Sequence, residues 1–253
     1  MENRRYRRKI ALLSGAAVLA LALLAGAALR AALPAAVTAE GGAEVPLLPE
    51  DGEEKLIALT FDDGPRRSTT TALLDGLAER GVHATFFLIG AQVEGSEDVV
   101  RRMEAEGHQV GIHTYDHVAL TGLNRADFDA QVGRTRNLLE DVLGHRDFLL
   151  RPPYGMTDAS VKAWAECPII IWSIDPEDWR DQNTPREVEE VVSQARDGAI
   201  VLMHDIFPAS VDAALQIVDR LHGQGYLFVT VEELFAARHI QLEAGKSYSN
   251  AYP

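Results

Sequence analysis

Three observations predict an α/β fold in which seven strand–helix units form one barrel-like domain. Short apolar runs recur at 55–61, 84–89, 108–112, 148–151, 168–173, 199–203 and 226–230, with the length and composition of buried strands. Amphipathic stretches alternate with them at 68–80, 96–106, 124–143, 157–166, 185–196, 209–223 and 231–238. Such alternation implies parallel pairing through right-handed crossovers. Glycines (81, 107, 144, 198 and 225) stand at or just beyond helix ends, where a left-handed cap is favoured. No second break in composition divides the segment, so a barrel-like sheet is expected rather than an open sheet with an added domain.

The ends of the chain are read from charge and hydropathy. Residues 1–30 carry five basic residues before the uncharged run Ile10 to Leu29, about the length that spans a bilayer as a helix. The basic flank predicts a cytoplasmic N-terminus with the remainder exported. An uncleaved transmembrane signal-anchor is expected; the competing reading is a signal peptide cut near Val37-Thr38-Ala39. Residues 31–54, rich in Ala, Pro, Gly and Glu without periodicity, read as a linker. The catalytic domain is expected over 55–238, and 239–253 as a C-terminal tail.

Composition narrows the function. The net charge of −14 combines +5 on residues 1–30 with −19 on the rest. An acidic body argues against nucleic acid as a partner, because phosphate neutralisation needs clustered Lys and Arg. Cys167 is the single cysteine, so the chain has neither an internal disulfide nor a Cys-based zinc knuckle.

The chemistry-bearing residues fall at the C-terminal ends of the expected strands, where barrels of this type carry their sites. The first strand runs into Asp62-Asp63-Gly64-Pro65. Along a regular strand two neighbouring carboxylates point to opposite faces, so the Gly-Pro break is needed if both serve one site. The plain alternative is an ordinary Asp-Gly turn. After 108–112 comes His113-Thr-Tyr-Asp-His117. A helical turn there would put both imidazoles on one face, the spacing that clamps a metal; a chance pair of structural histidines is the plain alternative. With a carboxylate from another strand tip they make the two-imidazole, one-carboxylate set of an open catalytic zinc site.

Arg151-Pro-Pro-Tyr-Gly155 comes after the fourth strand. An arginine ending a buried strand implies a paired carboxylate, and Pro-Pro stiffens the backbone leading into Tyr154. Asp175-Pro-Glu-Asp178-Trp179 comes after the fifth strand and His204-Asp205 after the sixth. Each stretch alone also reads as a solvated loop or turn, as does Arg180-Asp181-Gln182-Asn183; the strand-end stretches together do not. The other histidines, His83, His108, His145, His222 and His239, read as solvated or capping.

Taken in order, Thr60–Pro65, His113-Thr-x-x-His117, Arg151–Gly155, Asp175-x-x-Asp178-Trp179 and Val201-Leu-Met-His204-Asp205 resemble the five motifs of the polysaccharide deacetylases. These are also called the nodulation-protein-B-like domain or carbohydrate esterase family four. The resemblance spans about 55–237 and implies a distorted, incomplete (β/α)7 barrel. By position it implies that Asp63, His113 and His117 hold a divalent metal, zinc as a rule, with cobalt or another ion possible. It implies Asp62 as general base, Arg151 as its orienting partner, and the Tyr154 N–H in an oxyanion hole. His204 would be the general acid tuned by Asp178, with Trp179, Leu202 and Pro153 lining the substrate pocket. Ile112 stands where the family often has a polar residue.

The expected activity is removal of N-acetyl groups from a polymeric sugar. A domain tethered outside a bacterial membrane reaches peptidoglycan, which makes it the expected substrate, with chitin oligomers or an exported polysaccharide as alternatives. A glycoside hydrolase would need two carboxylates across a sugar bond and no His pair. An O-acetyl esterase or small-molecule amidase of the same superfamily, and a non-catalytic glycan-binding protein, are the remaining alternatives. The sequence carries no signal for oligomeric state.

Overall fold

In the computed structural model, which describes residues 54–253, strands and helices alternate in the order the apolar runs predict. They are β1 (Lys55–Asp62), α1 (Arg67–Arg80), β2 (Thr85–Leu88), α2 (Gly90–Val93), α3 (Glu97–Ala105), β3 (Gln109–Ile112) and α4 (Arg125–Phe128). A π-helical turn, Asp129–Gly133, joins α4 to α5 (Arg134–Leu143). Then come β4 (Leu149–Leu150), α6 (Ala159–Trp164), β5 (Ile169–Ile170), α7 (Asp178–Asp181), α8 (Thr184–Gln194) and β6 (Ala199–His204). The chain ends with α9 (Pro208–His222), β7 (Tyr226–Phe228), α10 (Val231–Ala237) and β8 (Ser247–Tyr248). The expected membrane anchor and all but the last residue of the linker lie outside the described residues. Among the described residues no helix is long and apolar enough to cross a membrane.

Every ladder between named strands is parallel, in the order β6-β1-β2-β3-β4-β5-β8, with β7 paired on β1. The sheet curls: beyond β5, Ile174 bridges back to Val201 of β6, and Asn250 bridges to Ala199. The curled half-barrel, flanked by helices, agrees with the barrel-like domain that the β/α alternation predicts and with the incompleteness that the family resemblance implies.

Period-two alternation divides the core into two clusters. Outward residues such as Ile57, Leu59, Phe61, Phe86, Leu88, Ile112, Leu150, Val201 and Met203 pack under the helices. Ile112 therefore belongs to the helix-facing core. Inward residues Leu56, Ala58, Phe87, Leu149, Ile170 and Ile200 fill the barrel. Continuing the inward face of each strand towards its C-terminal end reaches Thr60 and Asp62, His113, Arg151, and then Leu202 and His204. The interior thus changes from hydrocarbon to polar along one set of strands.

Away from the strand-end loops, the structure departs from the sequence reading in four places. Eight strands form instead of seven, because Ser247–Tyr248 in the expected tail adds to β5; two residues carry no strand signal. The apolar run 168–173 is strand only at Ile169–Ile170, since Ile174 leaves to pair with β6. The long helix expected at 124–143 contains the π-helical turn. Lastly, His108 is buried rather than solvated: its Nδ1 accepts the Ala84 N–H at 3.1 Å. Burial and the nearby His83 and Arg102 push its pKa down to about 4.

Candidate active site

Asp62 is the last residue of β1 and faces inward. Asp63 comes next with φ 73°, outside the strand region, so the alternation that would turn it away is broken. Both carboxylates consequently reach the same place. The two then diverge. Asp62 Oδ1 accepts from Arg151 Nη1 at 2.8 Å. Asp63 Oδ1 is buried without a hydrogen-bond donor.

What Asp63 Oδ1 faces is a pair of imidazoles: His113 Nε2 at 3.5 Å and His117 Nε2 at 3.3 Å. His113 Nδ1–H donates to the Arg151 carbonyl at 2.6 Å, which fixes the tautomer and leaves the Nε2 lone pair toward Asp63. Burial holds the His113 pKa below its ordinary value, against the pull of Asp62 and Asp63. A neutral ring is the ligating form. Ligands about 2.1 Å from one ion in a tetrahedral array lie about 3.4 Å apart, so the separations in the protein fit a shared cation. The three donors are the one such group found among the described residues.

The His113–His117 segment is not a helical turn. Thr114 and His117 take φ of 65° and 56°, and the rings approach to 5.1 Å between centroids. Two elements invisible to the motif hold this loop. The Gln131 side-chain carbonyl, on the π-helical turn, accepts from the Tyr115 and Asp116 backbone N–H groups at 3.0 and 2.9 Å. The N-terminus of α2 supplies Gly90 and Ala91 N–H to the Thr114 and Tyr115 carbonyls. A π-helical insertion is a frequent companion of functional sites, but its sequence signature is weak, and nothing in the sequence singles out Gln131.

Arg151 is fully buried. Besides Asp62 it donates to Thr60 Oγ1 at 2.7 Å and to the carbonyls of Ile170 and Ile171. Its guanidinium lies 4.2 Å from the Phe87 ring centre. Burial pulls its pKa down and the Asp62 charge works against that. Thr60, the first residue of its motif, carries no role in the sequence reading; here it steers the guanidinium.

His204 closes the opposite side, in register with Asp62 across β1 and β6. Its Nδ1 lies 2.7 Å from Asp178 Oδ1, and its own N–H donates to Asp178 Oδ2 at 2.8 Å. Burial alone would lower the His204 pKa, but the Asp178 hydrogen bond and charge, with Asp62 and Asp63 beyond, lift it to about 9. Asp178 sits at the start of the one-turn α7. Arg186 ties the loop before it, donating to the Pro176 and Glu177 carbonyls at 2.6 and 3.1 Å and to Asp181 at 2.7 Å. The Arg180–Asn183 stretch is therefore more than a solvated loop, because Asp181 anchors Arg186.

The residues expected to line the pocket differ in exposure. Leu202 is buried on the inward face, in register with Thr60. Pro153 is buried, whereas Tyr154 (φ 62°) and Trp179 are 64% and 51% exposed. The Tyr154 ring packs edge-on to His117 at 5.1 Å. Exposed aromatic faces beside a polar centre suit stacking on a flat, hydroxylated ring.

Comparison with known proteins agrees with the motif order. The sequence profile of the family described as "Polysaccharide deacetylase" matches residues 50–168. The solved structure of the peptidoglycan deacetylase PdaC from Bacillus subtilis superposes with a TM-score of 0.73 at 40% identity, over 75% of this chain and 94% of that one. The chain belongs to the polysaccharide deacetylase family. Its curated relatives include the Bacillus subtilis peptidoglycan-N-acetylmuramic acid deacetylase PdaC, 41% identical over 73% of this chain and 39% of that protein. A family 4 acetyl xylan esterase from Clostridium thermocellum, solved with a cobalt ion, has a TM-score of 0.74 at 28% identity, over 78% of this chain and 98% of that one. The chain spans about two fifths of the length of the first curated relatives it matches.

Proposed function

We infer that this protein hydrolyses the acetamido groups of an N-acetylated glycan, releasing acetate and leaving a free amine on the polymer. The observation that carries this reading is the divergence of two adjacent carboxylates. Asp63 presents an unpaired oxygen to two imidazole nitrogens, while Asp62 is held by Arg151 and stands outside the three-donor group, its Oδ2 3.7 Å from His113 Nε2.

Asp63, His113 and His117 would hold a divalent cation, which would lend Lewis acidity to the amide carbonyl and to the attacking water. Zinc is the proposed ion, and cobalt or another divalent ion can stand in for it; the cobalt-bound family neighbour supports the class of ion. Asp62 takes the water's proton as the carbonyl carbon is attacked. Arg151 holds Asp62 through Oδ1 at 2.8 Å, leaving Oδ2 3.7 Å from His113 Nε2. The Tyr154 backbone N–H meets charge building on the carbonyl oxygen. An amine leaves poorly unless protonated, and His204, kept cationic by Asp178, delivers that proton. Leu202, Pro153 and Trp179 shape the pocket for the acetyl group and its sugar.

Peptidoglycan is the proposed polymer, supported by the names of relatives that act on its N-acetylmuramic acid and N-acetylglucosamine units. The apolar run 10–29 is proposed to anchor the chain in a bacterial membrane, with the catalytic domain outside, within reach of the wall. The acetyl xylan esterase neighbour favours O-deacetylation as the second reading.

The test is acetate release by the full chain from purified peptidoglycan and from acetylated xylan, before and after chelation and zinc readdition. Chelator-sensitive, zinc-restored release from peptidoglycan is expected. Release from xylan alone supports the esterase, and no release from either substrate contradicts both readings.

A further inference from the structure

Asp205 comes directly after His204, yet it takes no part in the chemistry above. It stands one residue past the end of β6 and is fully buried, with its carboxyl group against Thr70 and Gly64. Its Oδ2 accepts the hydroxyl hydrogen of Thr70, and the same hydroxyl oxygen accepts the Arg66 N–H at 2.8 Å. Oδ1 has no donor. Gly64 lies directly against this carboxyl group: a Cβ at position 64 would come within 2.5 Å of both oxygens. Two further contacts hold the same loop. Arg66 Nη1 donates to the Ile206 carbonyl at 3.0 Å, and Ile89 N–H donates to the Gly64 carbonyl at 3.0 Å.

The loop 63–66 is therefore gripped between the end of β6 and the end of β2. Its first residue is Asp63, held at φ 73°, a backbone setting that an aspartate keeps only when its surroundings impose it. We propose that Asp205 is a positioning residue for the metal centre. Its carboxyl group is the wall against which the Gly64 peptide rests, and through Thr70 it fixes Arg66, so that Asp63 stays aimed at His113 and His117. This rests on reading Asp63, His113 and His117 as metal ligands. Asp205 acts without touching the cation or the substrate, so its removal weakens metal binding and leaves the folded core in place. A neutral side chain of the same shape suffices, since burial already pushes the Asp205 pKa up to about 7.

Zinc affinity of the full chain, measured by competition with a chelating indicator alongside thermal unfolding of the metal-free protein, tests this. Asp205→Ala is expected to bind zinc about 10–100-fold more weakly, the usual cost of losing an outer support, with cooperative unfolding retained. Asp205→Asn should stay close to the wild type. Gly64→Ala should also lose affinity, and adding Asp205→Ala should restore part of it by making room for the methyl group. Thr70→Val, nearly isosteric, decides the matter if Asp205→Ala does not fold; it is expected to weaken zinc binding with unfolding unchanged. Wild-type affinity in Asp205→Ala, or in Thr70→Val where Asp205→Ala fails to fold, overturns the proposal. Asp63→Ala separates the two ideas. If it alone loses zinc, the metal site stands without the Asp205 support; if it also binds like the wild type, the metal-site reading fails.

Discussion

The lower and upper halves of the barrel interior are built by the same strands and the same inward face, and they obey opposite rules. Below, Leu56, Ala58, Leu149, Ile170 and Ile200 bury hydrocarbon and need only shape. Above, Thr60, Asp62, Arg151 and His113 are as deeply buried, and each is tolerated because it meets a charge or a hydrogen-bond partner. Asp63 Oδ1 is the exception. Unlike those four, this oxygen has no donor and faces two imidazole nitrogens, which marks where a ligand from outside the chain belongs. Stability is invested in one half and reactivity in the other.

Substitutions that cross this division sharpen it. His113→Ala, in the upper half, removes a proposed metal ligand and the contact to the Arg151 carbonyl. Acetate release should fall by on the order of 1,000-fold, as for loss of a central catalytic group, with zinc affinity falling in parallel on titration. In the lower half, Ile200→Ala should cost about 2–5 kcal/mol of unfolding free energy, measured by urea denaturation, with kcat per folded molecule unchanged. A large loss of kcat there would show that the halves are not separable.

A smaller effect concerns protons. The His204 pKa is raised above its unfolded value, so its protonated form is favoured in the folded state. That contribution to stability is complete below the unfolded pKa and is lost as pH rises through the folded one. The proposed proton delivery needs the same protonated form, so the rate should fall on the alkaline side, at or below about 9, because a cation in the proposed site would repel the imidazolium. Asp178→Asn removes the charge that helps raise this pKa and one of the two oxygens that meet His204. The alkaline limb of the kcat profile should then move to lower pH, and an unmoved limb would remove Asp178 from its tuning role.

Much of this was legible in the sequence, for physical reasons that also explain what was not. Buried parallel strands read as continuous apolar runs, so the strand order along the chain and the strand tips were accessible. An arginine ending a buried strand announced a carboxylate partner, and Arg151 is paired with Asp62. Short elements were hidden: β8 has two residues and α7 one turn, below the length at which periodicity registers. The His113–His117 spacing suggested a helical turn, but positive φ at Thr114 and His117 delivers the same convergence by another route. Asp205 was hidden by its neighbour. Beside His204 it reads as part of one motif, and only its contacts with Thr70 and Gly64 set it apart.

The separate duties of Asp62 and Asp63 are the centre of the mechanism, and zinc titration of Asp62→Asn and Asp63→Ala beside the wild type tests them directly. Asp62→Asn should bind zinc as the wild type does and release no acetate, while Asp63→Ala should lose both. Equal loss of zinc in the two variants would contradict the assignment.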